Sequence, residues 1–241
     1  MPDTMMKRSI LIVLYLALLA IIPTQAKTYL VCVGIADYPG TKHDLRISDN
    51  DAKTIANLFN ANKDASVSIL LNGDATQSAL LSTMHTFFAE AQSDDAVILY
   101  FSGHGAPGSL VCYDGKLEYK HILKMLKGCN ASRKMIIADA CFSGKMRTGK
   151  RHVSNFNNQN VMLFLSSRTN EPSRETQFKN SLFTIFLERG LRGGADVNKD
   201  RQITATEIYD FVHDGVTKAS GSKQHPVMWG NFDKNMPIIK W

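Results

Sequence analysis

Five apolar runs recur along the chain, separated by stretches with helical periodicity. The segments "TYLVCVGIA" (28–36), "ASVSILL" (65–71), "DAVILYFSG" (95–103), "KMIIADA" (134–140) and "VMLFLSS" (161–167) are short and mostly apolar. Runs of that length read as strands buried in a sheet. Between them, residues 48–60 start at Ser48 or Asp49 and put Ala52, Ile55, Ala56 and Phe59 on one stripe. Residues 76–90 start at Thr76 and repeat Leu80, Met84, Phe87 and Phe88. Both are amphipathic helices by spacing, and the alternation predicts an α/β fold with a largely parallel central sheet. The stretch 145–160, "KMRTGKRHVSNFNNQN", is polar, basic and without apolar period. It is expected to be an exposed loop.

The first residues are a targeting segment rather than part of the fold. Lys7 and Arg8 precede an apolar stretch from Ile10 to Ile22, and Thr24-Gln25-Ala26 forms a small-residue exit. This is the build of a signal peptide, 1–26, cleaved after Ala26; its apolar core is short of the ~20 residues that a membrane span needs. The expected location is secreted or periplasmic, with no stable membrane insertion after cleavage. The remaining 27–241 lose Asp3, Lys7 and Arg8, so the net charge falls from +6 to +5. Lysines and arginines are scattered, with no basic helix or aromatic-basic interleaving, which argues against a nucleic-acid partner. At 44% hydrophobic residues the chain can bury one full core. Of the four cysteines, Cys32 is expected in the core, while a Cys112–Cys129 bridge stays open.

Two short motifs carry candidate chemistry. "YFSGHG" (100–105) and "IIADACFSG" (136–144) each close a predicted strand, and open α/β sheets place their chemistry at the carboxyl ends of strands. If the two strands are neighbours, His104 comes beside Cys141, and an imidazole next to a thiol makes a nucleophile with its proton carrier. Gly103 and Gly105 would let the backbone turn sharply around His104. The amides of Gly105 and Cys141 would then form an oxyanion hole. The plain alternative is a hydrogen-bonded structural histidine and an inert packed cysteine.

Together these boxes resemble the His and Cys boxes of the caspase and metacaspase family of cysteine peptidases. The Cys box is nearer the metacaspase form, although Phe142 departs from it. The segment "VGIADYPGTKHDLRISDNDAKTIANLF" (33–59) is similar to the metacaspase opening. "SSRTNEPSRE" (166–175), "SLFTIFLERGLRGGADVNKDRQITATEIYDFV" (181–212) and "QHPVMWG" (224–230) look like the small-subunit region of bacterial caspase-like proteins. The resemblance implies a caspase-like three-layer sandwich: a large-subunit-like part 27–144, the loop 145–160 and a small-subunit-like part 161–241. It implies a cysteine endopeptidase in which Asp51, Ser102 and Asp139 line a pocket for a basic side chain. Two converging carboxylates would favour Arg or Lys in a polypeptide substrate and repel Asp. Rival expectations are a legumain- or clostripain-like hydrolase of other specificity and a catalytically inactive interaction module. The basic loop residues Lys145, Arg147, Lys150 and Arg151 would suit autoprocessing.

No cofactor is expected, with calcium left open. Asp196, Asn198, Asp200, Gln202 and Glu207 fall at ligand positions of a calcium loop, but Arg201 stands where such loops need glycine. The competing reading is a capping box from Thr204 to Glu207 that opens a helix carrying Ile208, Phe211 and Val212. Near Asp114, where metacaspases often bind calcium, the sequence has no matching acidic cluster.

Overall fold

A computed structural model describes residues 26–140, 160–167 and 179–240. Its centre is a six-stranded sheet of β1 (Thr28–Gly34), β2 (Ala65–Leu71), β3 (Ala96–Gly103), β7 (Arg133–Ala140), β8 (Val161–Leu165) and β10 (Val227–Trp229), in the spatial order β10-β8-β7-β3-β1-β2. All neighbouring pairs are parallel except β10 with β8. Each of the five apolar runs is a strand of this sheet. Two-sided burial explains why most of them read as continuous rather than alternating.

Alternate residues feed two separate cores. Tyr29, Val31 and Val33 of β1 and Val97, Leu99 and Phe101 of β3 face α2 (Gln77–Phe88) and α3 (Tyr119–Gly128). Leu30, Cys32, Ile98 and Tyr100 face α1 (Ser48–Asn60), α4 (Leu182–Arg189) and α5 (Ala205–Ala219). Three layers result, with the mostly parallel sheet in the middle and helices on both faces, as expected. Thr76 caps α2, its Oγ accepting from the Ala79 N–H at 3.2 Å.

Two small sheets escape the sequence reading. β4 (Gly105–Ala106), β5 (Ser109–Cys112) and β6 (Gly115–Glu118) form an antiparallel meander that leaves the main sheet at His104. Its first turn is Pro107-Gly108, where Gly108 has φ +77°, the left-handed conformation that glycine supplies without strain. β9 (Gln202–Thr204) pairs with β11 (Pro237–Lys240). The capping box is formed: the Thr204 N–H and Oγ donate to Glu207 Oε2 at 2.9 and 2.8 Å, and the Glu207 N–H donates back to Thr204 Oγ. Asp196 accepts from the backbone N–H groups of Asp200 and Arg201, the latter at φ +63°. Among the described residues no group of three or more His, Cys, Asp or Glu side chains could hold a metal ion.

The Cys112–Cys129 bridge is not there. Both thiols are free and buried, as is Cys32; Cys129 donates to the Leu126 carbonyl at 3.2 Å instead. No helix among the described residues is long and apolar enough to cross a membrane. The segment 1–25 and most of the loop 145–160 lie outside the described residues.

Candidate active site

The carboxyl edge of the sheet collects the residues singled out by sequence. β3 and β7 are direct parallel neighbours, with Ser102 opposite Asp139 and Gly103 opposite Ala140. His104 follows Gly103, and Cys141 follows Ala140 in sequence but lies outside the described residues.

His104 is held on three sides. Its Nε2 lies 2.7 Å from the His43 carbonyl oxygen. A carbonyl can only accept, so Nε2 carries the proton and, in the neutral ring, Nδ1 is the free base. The Tyr38 ring packs on the imidazole with centroids 4.8 Å apart, and the Tyr38 hydroxyl accepts from the His104 backbone N–H at 2.8 Å. Gly103 is explained by this phenol rather than by a turn: a Cβ there would lie 2.7 Å from the Tyr38 oxygen, and neither Gly103 nor Gly105 has positive φ. Gly105 pairs with Leu110 of β5, while the Val111 N–H donates to the His104 carbonyl. This is the wide-pair pattern of an antiparallel ladder, which turns the Gly105 N–H away from β5.

On the α1 face, β3 and β7 end in polar residues. Asp51, deep in the first turns of α1, receives hydrogen bonds from Ser102 Oγ, Asn180 Nδ2 and the Ser181 N–H, all at 2.9 Å. Asp139 lies beside it, buried on the adjoining strand. Burial first, and then repulsion from Asp139, push the Asp51 carboxyl up to about 7, against the opposing pull of its three donors. Beneath them the Tyr100 hydroxyl meets Thr184 Oγ at 2.6 Å. Asn180 also donates to Thr54 Oγ, tying the start of α4 to α1.

Asp51, Ser102 and Asp139 thus meet in one buried constellation, and His104 and Gly105 stand directly beyond it on the same strand path. Sequence reasoning missed Tyr38, His43, Asn180 and Ser181. His43 acts through its backbone and Asn180 through a contact 129 positions away, and neither leaves a mark in a local pattern. Tyr38 lay within the quoted family-like opening, and its aromatic ring was the available signal.

Known proteins share this fold. The solved structures that resemble it include a protein of Geobacter sulfurreducens determined in a structural genomics programme, at TM-score 0.65 and 17% identity, with 86% of this chain and 94% of that one covered. Caspase-1 of Spodoptera frugiperda superposes with TM-score 0.64 and 12% identity, covering 87% of this chain and 88% of its own. At those identities the likeness shows the fold. A search of curated proteins gives no match. The caspase domain family profile matches residues 27–237, almost all of the described structure, and the chain belongs to that family of cysteine peptidases.

Proposed function

We propose that the protein is an exported cysteine endopeptidase that cleaves polypeptides after Arg or Lys. The observation that supports this most is the pairing of Asp51 and Asp139 at the carboxyl edge of the sheet. Both carboxylates are buried, and the three donors to Asp51 are all uncharged. A buried carboxyl such as Asp51, with uncharged donors and the Asp139 charge near it, is costly to ionise. An incoming guanidinium or ammonium offsets that cost, whereas an aspartate or a neutral side chain does not.

In this reading Cys141 is the nucleophile. His104 takes its thiol proton at Nδ1 while Nε2–H stays on the His43 carbonyl, so the ring does not have to turn between steps. The thiolate attacks the scissile carbonyl, and the outward Gly105 N–H, with that of Cys141, holds the oxyanion. His104 Nδ1–H then protonates the leaving amine, and water hydrolyses the acyl-enzyme. No cofactor enters these steps. The leader 1–26 would direct export, secreted or periplasmic, and N-terminal sequencing of the exported protein should begin at Lys27.

A positional-scanning peptide assay on residues 27–241, with and without calcium, tests the reading. Cys141→Ala and His104→Ala should each lower cleavage by roughly 10³-fold or more while the protein stays folded. Asp139→Ala should lose cleavage after Arg yet keep the rate at which Cys141 reacts with a small alkylating agent. Full activity of Asp139→Ala on Arg and Lys substrates would remove the basic specificity. Activity in Cys141→Ala would remove the mechanism.

A further inference from the structure

The Tyr38 hydroxyl occupies an unusual place in the backbone network. At the point where the chain leaves the main sheet for the meander, the Val111 N–H donates to the His104 carbonyl at 3.0 Å. The reciprocal bond of an antiparallel rung, His104 N–H to Val111 carbonyl, is not made directly. The phenol stands in it, accepting from the His104 N–H at 2.8 Å and donating to the Val111 carbonyl at 3.0 Å. One oxygen therefore bridges one side of the rung, while the other side closes directly through the Val111 N–H and the His104 carbonyl. The same residue lays its ring on the imidazole, centroids 4.8 Å apart and planes at 43°. Tyr38 is buried, and the absence of a side chain at Gly103 leaves room for its oxygen.

Tyr38 thus grips His104 at both its backbone and its ring. Its neighbour His43, five residues on along the same loop, supplies the carbonyl that fixes Nε2–H. We propose that Tyr38 is the positioning residue that holds His104 in its reactive orientation and tautomer, using its hydroxyl as an inserted rung of the β4–β5 ladder and its ring as a platform for the imidazolium. The proposal rests on the reading of His104 as the proton carrier. The two parts of the side chain have separable duties. The hydroxyl sets where the His104 backbone sits, and so whether the ring reaches the His43 carbonyl. The aromatic face favours the imidazolium formed when the thiol gives up its proton.

Two substitutions separate these duties. Tyr38→Phe keeps the ring and deletes the bridge, leaving the His104 N–H and Val111 carbonyl either to close on each other or to stay unpaired. Tyr38→Leu removes both. Steady-state kinetics on an Arg peptide are read beside ¹⁵N NMR of histidine-labelled protein, with the His104 ring assigned by its loss in His104→Ala. Tyr38→Phe should lower kcat about tenfold with KM within about twofold, because misplacement of a catalytic group acts on the chemical step. In the same variant the His104 signal should move from the Nε2–H tautomer towards a tautomer mixture. Tyr38→Leu should lose about 100-fold.

Wild-type kcat in Tyr38→Phe, or an unaltered His104 tautomer, overturns the proposal. If Tyr38→Leu fails to fold, Tyr38→Phe alone decides. Failure of the underlying reading looks different: His104→Ala would keep its activity, and the positioning proposal would fall with it. A dead His104→Ala beside an unimpaired Tyr38→Phe rejects only the positioning role.

Discussion

The two faces of the central sheet use the same strands for different ends. Towards α2 and α3 the inward residues of β3 run Val97, Leu99, Phe101 and then Gly103, and those of β7 run Ile136, Ala138 and Ala140, apolar to the last position. Towards α1, α4 and α5 the same strands run Ile98, Tyr100, Ser102 and Met135, Ile137, Asp139. They begin as core and end as polar wiring. Each face buries side chains worth about 1.5–3 kcal/mol apiece, but only the second gives up packing at its carboxyl end for hydrogen bonds and charge. A parallel sheet can make this exchange because it presents all its strand ends on one edge. The foot of the strands can stay dry while the head becomes a site.

The largest expected break in that comparison is on the apolar face. Leu99 is completely buried between β1, β7 and the helices above, so Leu99→Ala should cost about 2–5 kcal/mol by loss of transfer free energy plus the cavity it leaves. Urea denaturation measures it, and below the transition the remaining folded protein should keep the specific activity and the cleavage preference of the wild type. A change in cleavage preference without loss of stability would show that the two faces are not separable in the way proposed.

How far the sequence could be read follows the same division. The apolar strands announce themselves because burial on both faces leaves an unbroken hydrophobic run, and 28–36, 65–71, 95–103, 134–140 and 161–167 each hold a strand of the main sheet. Helix α1 was legible from its stripe, and Thr204 with Glu207 from local capping chemistry. The meander β4–β6 was not, because strands of two to four residues separated by Pro107-Gly108 and Tyr113-Asp114 are too short to show a period. Asp51, Ser102 and Asp139 came from family likeness, and the structure gathers them. The partners of the site came from neither source. Gly103 read as a hinge and is instead a clearance for a phenol, since what requires it is a residue 65 positions earlier. The Cys112–Cys129 question stayed open in the sequence because spacing carries no information on whether two thiols point at each other, and the structure leaves both thiols free.

A second, smaller effect lies on the polar face, and pH reveals it. The Asp51 carboxyl titrates near 7 in the fold, raised chiefly by burial, and near 4 when unfolded. The native state therefore holds its proton more tightly than the unfolded chain does. Below pH 4 both states are protonated and nothing is lost; between about 4 and 7 the unfolded state ionises freely while the native state resists, so stability falls as pH rises. At about 1.4 kcal/mol per unit the loss is at most about 4 kcal/mol. Asp51→Asn keeps an acceptor for Asn180 and Ser181 and gives Ser102 a donor, so its stability should be nearly flat over that interval, and at pH 8 it should exceed wild type. Denaturation curves at pH 4, 6 and 8 decide it. A wild-type protein whose Asp51-dependent stability rises across that interval would mean the carboxyl is held as a settled anion, and the case for a pocket awaiting a cation would lose its energetic basis.

The smallest effect probes how the pocket is held to the sheet. Gly34 closes β1 directly under the first turn of α1, and a Cβ there would sit 2.5 Å from the Ser48 carbonyl oxygen, 2.6 Å from Ala52 Cβ and 2.9 Å from Asp49 Cα. Two of these are backbone atoms, so Gly34→Ala cannot be absorbed by a side-chain rotation; α1 as a whole must lift. Overpacking of that kind costs about 1–3 kcal/mol, less than the Leu99 cavity. Its consequence for the site is out of proportion to that figure. Asp51 rides on the same turn, and Ser102 is the register partner of Gly34, so the displacement opens the 2.9 Å Asp51–Ser102 bond while β3, β7 and the His104 clamp stay in place. Gly34→Ala should therefore weaken KM for Arg peptides more than kcat, and leave alkylation of Cys141 at the wild-type rate. Equal losses in KM-dependent and KM-independent steps would mean that α1 and the sheet move together, and that the polar face is as rigidly coupled to the reaction centre as the apolar one is to the core.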